Sequence, residues 1–283
     1  MLKKPDWLRI PHRHSPDQTA VEALLESLQL NTVCREANCP NYGECFSKQT
    51  ATIMILGTNC TRDCRFCNVR HAEPTPVDPE EPMRVAEAVK ALGLRYVVVT
   101  SVTRDDLPDG GAAQFAQVIR GIRETAPGTA IEVLIPDFMG RNPRALEQVI
   151  AAGPDVISHN METVAALYPQ IRPGADYMRS LTILRQIKAQ NPAIRSKSGI
   201  MLGFGETEGQ VLQLFNDLLE VGCEFLTIGQ YLAPSKAHYP VQAYVTPAQF
   251  EAYGAAARAK GFAFVASAPL VRSSYHAGDA IGL

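Results

Sequence analysis

Three closely spaced cysteines are the strongest chemical signal in this chain. The stretch NCTRDCRFCNV places Cys60, Cys64 and Cys67 in the spacing C-x3-C-x2-C. Dense thiolates are typical of metal sites, but a structural zinc site closes with four ligands and a cubic iron-sulfur cluster also takes four cysteines. A set of three leaves one position open to an outside molecule. The spacing therefore favours a reactive metal centre over a purely structural one.

A second triplet, Cys34, Cys39 and Cys45, precedes the first. The seventh cysteine, Cys223, lies in the apolar context VGCEFL and is predicted to be a small buried residue. A disulfide framework is disfavoured because the chain is long, shows no export signal, and would keep its thiols reduced in the cytosol. Six cysteines are thus candidates for metal chemistry.

The composition is that of a globular protein with a sizeable core. Hydrophobic residues make up 46% of the 283 residues, charged residues make up 20%, and the formal net charge is -2. This charge gives no reason to expect nucleic acid as a partner. The N-terminal stretch MLKKPDWLRIPHRHSPD lacks a signal-peptide pattern, and no apolar run approaches about 18 residues. We expect a cytoplasmic protein that does not bind a membrane.

The chain alternates apolar, β-branched runs with segments of helical period, which is typical of repeated βα units. Seven strands are predicted, in the runs ATIMILG, RYVVVTS, AIEVLIP, DVISHN, IRSKSGIMLG, EFLTIGQYL and FAFVAS. Amphipathic helices are predicted between them, and four of these helices end at Gly93, Gly153, Gly222 and Gly261. The pattern predicts an α/β fold with a parallel sheet.

A partial parallel (β/α)6-type TIM barrel fits these units best, because no GxGxxG follows an early strand to mark a doubly wound sheet. We expect one structural unit with three segments. An N-terminal extension (1–48), with one helix near 19–30, carries the upstream cysteine triplet, and the barrel (49–265) and a C-terminal tail (266–283) follow. Chemistry in such barrels gathers at the carboxyl ends of the strands, so a triplet just after the first strand is well placed for catalysis.

The motif at Cys60, Cys64 and Cys67 resembles the signature of the radical S-adenosylmethionine superfamily, and Phe66 matches the aromatic residue common in it. The upstream triplet, with its stretch CPNYGEC, resembles the auxiliary cluster motif of the lipoyl synthase family. Further segments resemble that family in the same order: TSVTRDDLPDGGA, HNMET, KSGIMLGFGET, GQYLAPSKAHYPV and RSSYHA. The resemblance covers residues 32–277.

This resemblance implies an enzyme of lipoate biosynthesis, a sulfurtransferase with two 4Fe-4S clusters and S-adenosylmethionine as cofactors. The cluster at Cys60, Cys64 and Cys67 would bind S-adenosylmethionine at its open iron and cleave it to methionine and a 5′-deoxyadenosyl radical. The radical would activate the sixth and eighth carbons of an octanoyl chain carried on a protein lysine. Two sulfur atoms would then be inserted at these carbons.

The auxiliary cluster, held by Cys34, Cys39 and Cys45, is implied to donate the sulfur and to be consumed. The family places a serine of RSSYHA on its fourth iron, which corresponds to Ser274. A hydroxyl oxygen is a harder ligand for iron than a thiolate, so we expect this bond to yield first. Without the resemblance, Ser273 and Ser274 would be ordinary polar residues of the tail.

The resemblance also implies partners. These are octanoylated lipoyl carrier domains, namely 2-oxoacid dehydrogenase E2 subunits and the glycine cleavage H protein, a ferredoxin- or flavodoxin-type reductant, and an iron-sulfur carrier for cluster repair.

Residues at predicted strand ends and inside the barrel are candidates to bind S-adenosylmethionine: Ser101, Asn160, Glu162, Arg179 and Lys197. Asn160 and Glu162 would hydrogen-bond the adenosyl ribose at the barrel mouth, whereas the alternative is that HNMET is a helix-initiating loop. Arg179 and Lys197 would face the barrel interior near the nucleotide, and the alternative for each is a structural pairing.

Two segments carry polar residues with a functional and a structural interpretation. The aspartates of RDDLPDGGA either belong to the site or are acids of a turn and a helix N-terminus. His238 either lines a substrate entrance or has a structural partner.

Two other functions stay open from the residues alone. One is another sulfur-inserting enzyme, such as a methylthiotransferase or a biotin-synthase-like protein, although a methylthiotransferase typically has an RNA-binding domain for which no room follows Gly261. The other is a zinc-stabilised binding module. Colour separates the zinc module from the enzymes, because iron-sulfur protein is brown and zinc protein is colourless.

Two independent triplets predict the metal content. Anaerobically reconstituted protein should hold about eight irons per chain, because each triplet holds one four-iron cube. Replacing Cys60, Cys64 and Cys67 together by Ala should lower this to about four irons, measured by iron and sulfide analysis. Stoichiometric zinc without sulfide would contradict the assignment.

Overall fold

The computed structural model describes residues 3–9, 16–47, 52–140 and 142–283, and the chain divides into two compact units. We call one the N-terminal unit; it consists of Pro11–Arg62, Asn68–Ile157 and His276–Leu283. The C-terminal unit consists of Met1–Ile10, Asp63–Cys67 and Ser158–Tyr275. The predicted boundary between extension and barrel, at residues 48 and 49, lies outside the described residues. The organisation into three segments of one structural unit stays a prediction.

The N-terminal unit contains a mostly parallel sheet. Its described strands are β1 (Asn31–Thr32), β2 (Thr52–Ile55), β3 (Asn59–Cys60), β4 (Arg70–His71), β5 (Tyr96–Ser101) and β6 (Ala130–Leu134). The sheet order is β1-β2-β5-β6, in which β1 is antiparallel to β2 and the other neighbours are parallel, while β3 and β4 form a separate parallel pair. Val97, Val98 and Val99 of β5 are all buried, because a parallel strand is covered on both faces.

The same unit also contains helices. The described ones are α1 (Pro16–Ser27), α2 (Val33–Glu36), α3 (Tyr42–Ser47), α4 (Glu81–Ala91), α5 (Ala112–Thr125) and α6 (Ala145–Ala151). α5 packs against both α4 and α6. Its buried side chains Phe115, Val118, Ile119 and Ile122 recur at helical spacing, which explains why one continuous face is covered.

The C-terminal unit repeats the pattern. β7 (Val156–Ser158) spans the point in the chain where the division falls, and the strands β8 (Arg195–Leu202), β9 (Phe225–Gln230) and β10 (Phe264–Ser267) are parallel neighbours in that order. The helices are α7 (Tyr168–Ile171), α8 (Tyr177–Gln190), α9 (Glu208–Glu220) and α10 (Pro247–Lys260).

The predicted helix ends are confirmed. Thr246 is the N-cap of α10, and its hydroxyl accepts the N–H of Gln249 at 3.2 Å; Gly261, with φ of +115°, is the C-cap. α9 begins with a reciprocal pair of hydrogen bonds between Thr207 and Gln210. Such local signals explain why the pattern of strands and helices was readable from the sequence.

All seven predicted strands and the six helices between them are present, and the predicted class, an α/β fold of the partial parallel TIM barrel type, is confirmed. The N-terminal helix runs over Pro16–Ser27, slightly earlier than the predicted 19–30. The short elements β1, α2 and α3 were not predicted, because two to six residues carry too little periodicity. No helix in the described ranges is long and apolar enough to cross a membrane.

A buried carboxylate holds the chain where β2 ends. Leu56 adopts the left-handed conformation with φ of +68°, and its N–H donates to both carboxylate oxygens of Glu81, at 3.2 and 3.0 Å. The side-chain amide of Gln114 donates to the same carboxylate at 3.0 Å. Burial raises the pKa of Glu81, while these donors act in the opposite direction. The turn that leads to Cys60 thus depends on one side chain of α4.

Glu81→Leu should lower the free energy of unfolding by about 2 kcal/mol or more, because two buried donors lose their acceptor. Chemical denaturation of the protein without metal measures the loss. Glu87→Leu is the matched control, because Glu87 lies on the exposed face of the same helix and its replacement should cost less than about 0.5 kcal/mol. Equal losses in the two variants would show that the Glu81 contacts do not stabilise the fold.

Candidate functional site

Cys60 ends β3 in the N-terminal unit and is half-buried. Its sulfur accepts the backbone N–H groups of Arg62, at 3.5 Å, and Thr103, at 3.3 Å. Sulfur ligands of a metal centre are commonly supported by hydrogen-bond donors of this kind. The two N–H groups at Cys60 therefore fit a role of this residue as a metal ligand.

The aspartates of RDDLPDGGA separate into different roles. Asp109 accepts the backbone N–H groups of Gly111, at 3.0 Å, and Ala113, at 2.8 Å, where α5 begins. It is therefore the helix N-terminal acid of the structural interpretation. Asp106 pairs with Arg104 at 2.8 Å, and this arginine lowers the pKa of Asp106. Asp105 instead pairs with Arg62, between the cysteines of the motif.

The segment that carries Cys64 and Cys67 belongs to the C-terminal unit and is held by its backbone. The N–H of Arg65 donates to the carbonyl of Ile171 at 3.0 Å, and the carbonyl of Arg65 accepts the N–H of Tyr239 at 2.9 Å. The N–H of Cys67 donates to the carbonyl of Cys64 at 2.9 Å. This turn presents two half-buried thiols from one short loop.

His238 contacts the third cysteine of the motif. Its Nε2 lies 3.1 Å from the carbonyl oxygen of Cys67, and its Nδ1 lies 2.8 Å from the hydroxyl of Ser235. Because a carbonyl only accepts, Nε2 carries a proton, and in the neutral ring Nδ1 accepts from Ser235. The structure therefore gives His238 a partner in the cysteine loop, as the structural interpretation requires.

Phe66 anchors the same loop in an aromatic group. Its ring meets Phe204 edge-on, with centroids 6.4 Å apart, and Phe204 stacks on Tyr231 at 4.2 Å. The hydroxyl of Tyr231 donates to the carbonyl of Tyr239 at 2.6 Å. Apolar packing and backbone hydrogen bonds thus hold the loop from two sides.

The upstream triplet lies on two short helices and the turn between them. Cys34 is in α2, and its carbonyl accepts the N–H of Cys39 at 3.1 Å. Tyr42 donates to the carbonyl of Cys39 at 3.2 Å, and in α3 Cys45 donates to the carbonyl of Asn41 at 2.9 Å. Successive turns of one short segment therefore carry all three thiols.

The state of the thiols fits metal binding. All seven cysteines lie in the described ranges and none is in a disulfide, which agrees with the prediction. Burial raises the pKa of Cys34 to about 11, and the neighbouring Cys39 adds to the shift. Such a thiol stays protonated at neutral pH, so metal binding at this site must release a proton. Cys223 is buried, as predicted.

The donor chemistry fits two iron-sulfur clusters. Within the described part of the chain, no three or more His, Cys, Asp or Glu side chains form a group that could hold a single metal ion. A cubic cluster binds its cysteines at separate corners, so its ligands lie farther apart than those of one ion. Each triplet offers three thiols, and N–H donors already point at the sulfur of Cys60.

Asn160 and Glu162 follow β7 and lie side by side, with Asn160 Nδ2 donating to Glu162 Oε1 at 3.0 Å. Glu162 has φ of +65° and forms a parallel bridge with Ile200 of β8. This pairing does not fit a helix-initiating loop, so HNMET extends the end of a strand. Burial raises the pKa of Glu162, and the positive charge of Arg172 acts in the opposite direction.

Two buried polar atoms fit a polar ligand. Asn160 Oδ1 and, in the N-terminal unit, Ser101 Oγ have no hydrogen-bond partner among the described residues. Each follows or ends a parallel strand. A Cβ atom at Gly199 would lie 2.9 Å from Asn160 Oδ1, so a larger residue there would crowd the amide. Buried polar atoms are normally paired, so each of these two atoms is, within its own unit, a candidate contact for a polar ligand.

Lys197 and Arg179 occupy different settings. Lys197 is fully buried in β8, and its carbonyl accepts the N–H of His159 at 3.0 Å, so it lies inside the C-terminal unit. Arg179 is in the first turn of helix α8, where its N–H donates to the carboxylate of Asp176 at 2.6 Å. A role of either residue in nucleotide binding stays a prediction.

The tail segment RSSYHA forms a turn. The N–H of Tyr275 donates to the carbonyl of Arg272 at 3.0 Å, and Ser274 is half-buried within that turn. Two residues later, in the N-terminal unit, His276 Nε2 lies 3.3 Å from Glu44 Oε1, next to Cys45. The assignment of Ser274 as a cluster ligand rests on the family resemblance and stays a prediction.

Sequence reasoning missed the residues that support the cysteine loop. Arg62 bonds to Asp137, 75 positions away, and Arg65 bonds to Ile171 and Tyr239. No local pattern connects such distant positions. The one available signal was a charged residue placed between two cysteines.

Comparisons with known proteins place the chain in a family. A family model described as the radical SAM superfamily matches residues 54–218. A lipoyl synthase of Alkaliphilus metalliredigens is 55% identical over 279 residues, which are 99% of this chain and 96% of that protein. A lipoyl synthase of Caldanaerobacter subterraneus subsp. tengcongensis is 55% identical over 282 residues, which are 100% of this chain and 98% of that protein.

A solved structure supports the fold. The crystal structure of Streptococcus suis SuiB bound to S-adenosylmethionine matches with a TM-score of 0.58 at 10% identity, over 80% of this chain and 54% of that chain. At this identity the likeness concerns the fold alone. The family follows from the sequence relatives, which match over nearly their whole length. The chain belongs to the lipoyl synthase family of the radical S-adenosylmethionine superfamily.

Proposed function

We propose that this chain is a lipoyl synthase that inserts two sulfur atoms at the sixth and eighth carbons of a protein-bound octanoyl-lysine. The observation that carries the proposal is 55% identity to a lipoyl synthase over 99% of the chain. The presence of both cysteine triplets as thiols supports it. Its cofactors are S-adenosylmethionine and two 4Fe-4S clusters, as in the family.

The substrate explains why such cofactors are needed. An aliphatic methylene has no acidic proton, leaving group or dipole on which a side-chain base could act, so a cofactor must supply the difficult chemistry. When bound, the clusters and S-adenosylmethionine supply an electron, a hydrogen-abstracting radical and sulfide. The residues of the chain bind these groups, orient them and limit the access of water.

The cysteine loop holds the radical-forming site in this proposal. Cys60, Cys64 and Cys67 would hold one cluster, and S-adenosylmethionine would bind at that cluster. Phe66 and the backbone contacts around it keep the loop in one conformation. Pre-organisation of this kind matters because a reacting carbon must lie close to the radical, and a small misplacement costs rate.

Polar residues at strand ends orient the nucleotide in this proposal. Asn160 and Glu162 hydrogen-bond the ribose, and Ser101 Oγ gains a partner that it lacks among the described residues. The buried side chain of Lys197 and the side chain of Arg179 are proposed to lie near the nucleotide.

The upstream site is the sulfur donor in this proposal. Cys34, Cys39 and Cys45 hold the auxiliary cluster, and Ser274 supplies its fourth ligand. Of these three cysteines, Cys34 is buried, and Cys39 and Cys45 are half-buried. The hydroxyl oxygen of Ser274 would be a harder ligand for iron than the three thiolates, so its bond would be the first to yield.

The partners are proposed from the same family. A lipoyl carrier domain is the substrate; 2-oxoacid dehydrogenase E2 subunits and the glycine cleavage H protein are the proposed carriers. A ferredoxin- or flavodoxin-type protein is the proposed electron donor, and an iron-sulfur carrier is proposed to restore the auxiliary cluster. A cytoplasmic location stays a prediction.

Two alternatives receive less support. A methylthiotransferase or biotin-synthase-like protein would share the radical motif, but the relatives that cover the chain are lipoyl synthases. A zinc-stabilised binding module does not account for a radical SAM match over residues 54–218.

Substitutions in the two cysteine triplets should abolish different products of the reaction. With an octanoyl-lysine peptide under anaerobic conditions, Cys60→Ala should give neither 5′-deoxyadenosine nor thiolated peptide, because no S-adenosylmethionine is held and reduced. Cys39→Ala should still give deoxyadenosine but no mass gain from sulfur. The wild type should give about one lipoyl group per chain at most, because a consumed cofactor cannot turn over. Chromatography and mass spectrometry measure both products.

Cys223→Ala is the control for these variants, because Cys223 is a buried cysteine outside both triplets and its variant should form both products. Sulfur insertion by Cys39→Ala at the wild-type level would show that the upstream triplet is only structural.

Ser274→Ala should nearly abolish lipoyl formation, because the auxiliary cluster loses its fourth ligand, whereas Ser273→Ala should retain more activity. Mass spectrometry of the same peptide measures both, and iron analysis shows whether the cluster is still present. Equal, mild effects of the two substitutions would show that Ser274 is not a ligand.

A further inference from the structure

Thr61, directly after Cys60, binds the loop that follows β5. Its N–H donates to the carbonyl of Thr103 at 3.0 Å, and its hydroxyl lies 3.0 Å from the same oxygen. The N–H of Asp105 donates to that hydroxyl at 3.1 Å. The hydroxyl also lies 3.2 Å from a carboxylate oxygen of Asp105, so its proton has two acceptors within reach, both in this loop. The Thr61 side chain therefore connects to Thr103 and Asp105 as donor and acceptor.

The same loop returns a hydrogen bond to the metal ligand. The N–H of Thr103 donates to the sulfur of Cys60 at 3.3 Å. Thr103 is thus fixed on both sides, because its carbonyl binds Thr61 and its N–H binds the cysteine. Small movements of the loop would lengthen the contact to the sulfur first, since N–H···S contacts are long and weak.

A buried ion pair supports the arrangement. The guanidinium of Arg62 donates to both carboxylate oxygens of Asp105, at 2.8 and 2.9 Å, and to Asp137 at 2.5 Å. The side chains of Arg62 and Asp137 are 6% and 0% exposed. A two-pronged contact fixes the orientation of both partners, and burial shields it from water. We call Thr61, Arg62, Thr103 and Asp105 the cysteine clasp.

Hydrogen bonds to cluster sulfur affect the reduction potential. One-electron reduction adds negative charge to a cluster, and an N–H donor on a thiolate stabilises that charge, so the reduced state becomes easier to reach. Each lost donor makes the potential more negative. The donor from Thr103 is therefore a contact through which this chain can adjust the cluster.

We propose that Thr61, supported by the Arg62–Asp105 ion pair, is a positioning residue that holds the Thr103 N–H on the sulfur of Cys60 and thereby raises the reduction potential of the cluster. This inference rests on the proposed function, because it requires a cluster on Cys60. It assigns Thr103 and Asp105, in the stretch TSVTRDD, a role other than nucleotide binding. A higher potential makes the cluster easier for its electron donor to reduce.

Thr61→Val tests the proposal with little change in size and none in charge. The full-length protein is reconstituted anaerobically and titrated with dithionite at controlled potentials, followed by electron paramagnetic resonance. The signal that changes on addition of S-adenosylmethionine reports this cluster. Its midpoint should shift to a more negative potential, so that less than half of the cluster is reduced at the wild-type midpoint.

Two variants are the controls. Thr61→Ser keeps the hydroxyl and should titrate like the wild type. Thr125→Val removes a half-buried threonine hydroxyl of the same unit, one that donates to Gly121 within α5 at 2.8 Å, and should also titrate like the wild type. These controls separate the clasp from a general effect of replacing threonine by valine.

The proposal is overturned if Thr61→Val holds its iron and titrates at the wild-type potential, or if Thr61→Ser shifts as far as Thr61→Val. If Thr61→Val does not hold iron, the potential of the Arg62→Lys variant tests the proposal instead. This variant keeps the positive charge but loses the two-pronged contact with Asp105. A negative shift in that variant supports the clasp, and an unchanged potential overturns it. If the wild type shows no signal that responds to S-adenosylmethionine, the proposed function itself fails.

Discussion

A short loop with almost no regular structure has to hold cysteines for a reactive centre, and the rest of the site depends on this constraint. An irregular backbone has polar groups that no helix or sheet satisfies, and each buried one needs a partner. Here Arg65 receives partners from Ile171 and Tyr239, and Cys67 receives a partner from His238. The loop is therefore held by contacts from residues distant in sequence.

In the N-terminal unit, residues distant in sequence also compensate the buried charge of Arg62. Arg62 is buried beside a cysteine sulfur, which would be costly without compensation. Asp105 and Asp137 supply that compensation with three hydrogen bonds. The result is a network that carries fixed charge close to Cys60 and holds backbone N–H groups on its sulfur. Stability of the loop and the electronic surroundings of the thiol thus have a common origin.

The upstream triplet is built differently. Cys34, Cys39 and Cys45 lie on consecutive turns of one short segment, so local backbone hydrogen bonds place them. A cofactor that donates its own sulfur must come apart and be rebuilt, and a site built from one short segment suits that task. The two triplets share ligand chemistry but differ in the contacts described for them: local backbone hydrogen bonds place the upstream triplet, and residues distant in sequence contact the cysteine loop.

Local patterns in the sequence were sufficient for the order of strands and helices, for the caps at Thr246 and Gly261, and for the cysteine spacing that indicates a cluster. These features depend on neighbours within a few positions, where periodicity and ligand spacing are visible. Only the tertiary structure decided that Asp105 pairs with Arg62 while Asp109 caps a helix. It also decided that His238 contacts Cys67. Side chains of the same type look alike in the sequence, because their roles depend on which distant residue the fold brings within hydrogen-bond distance.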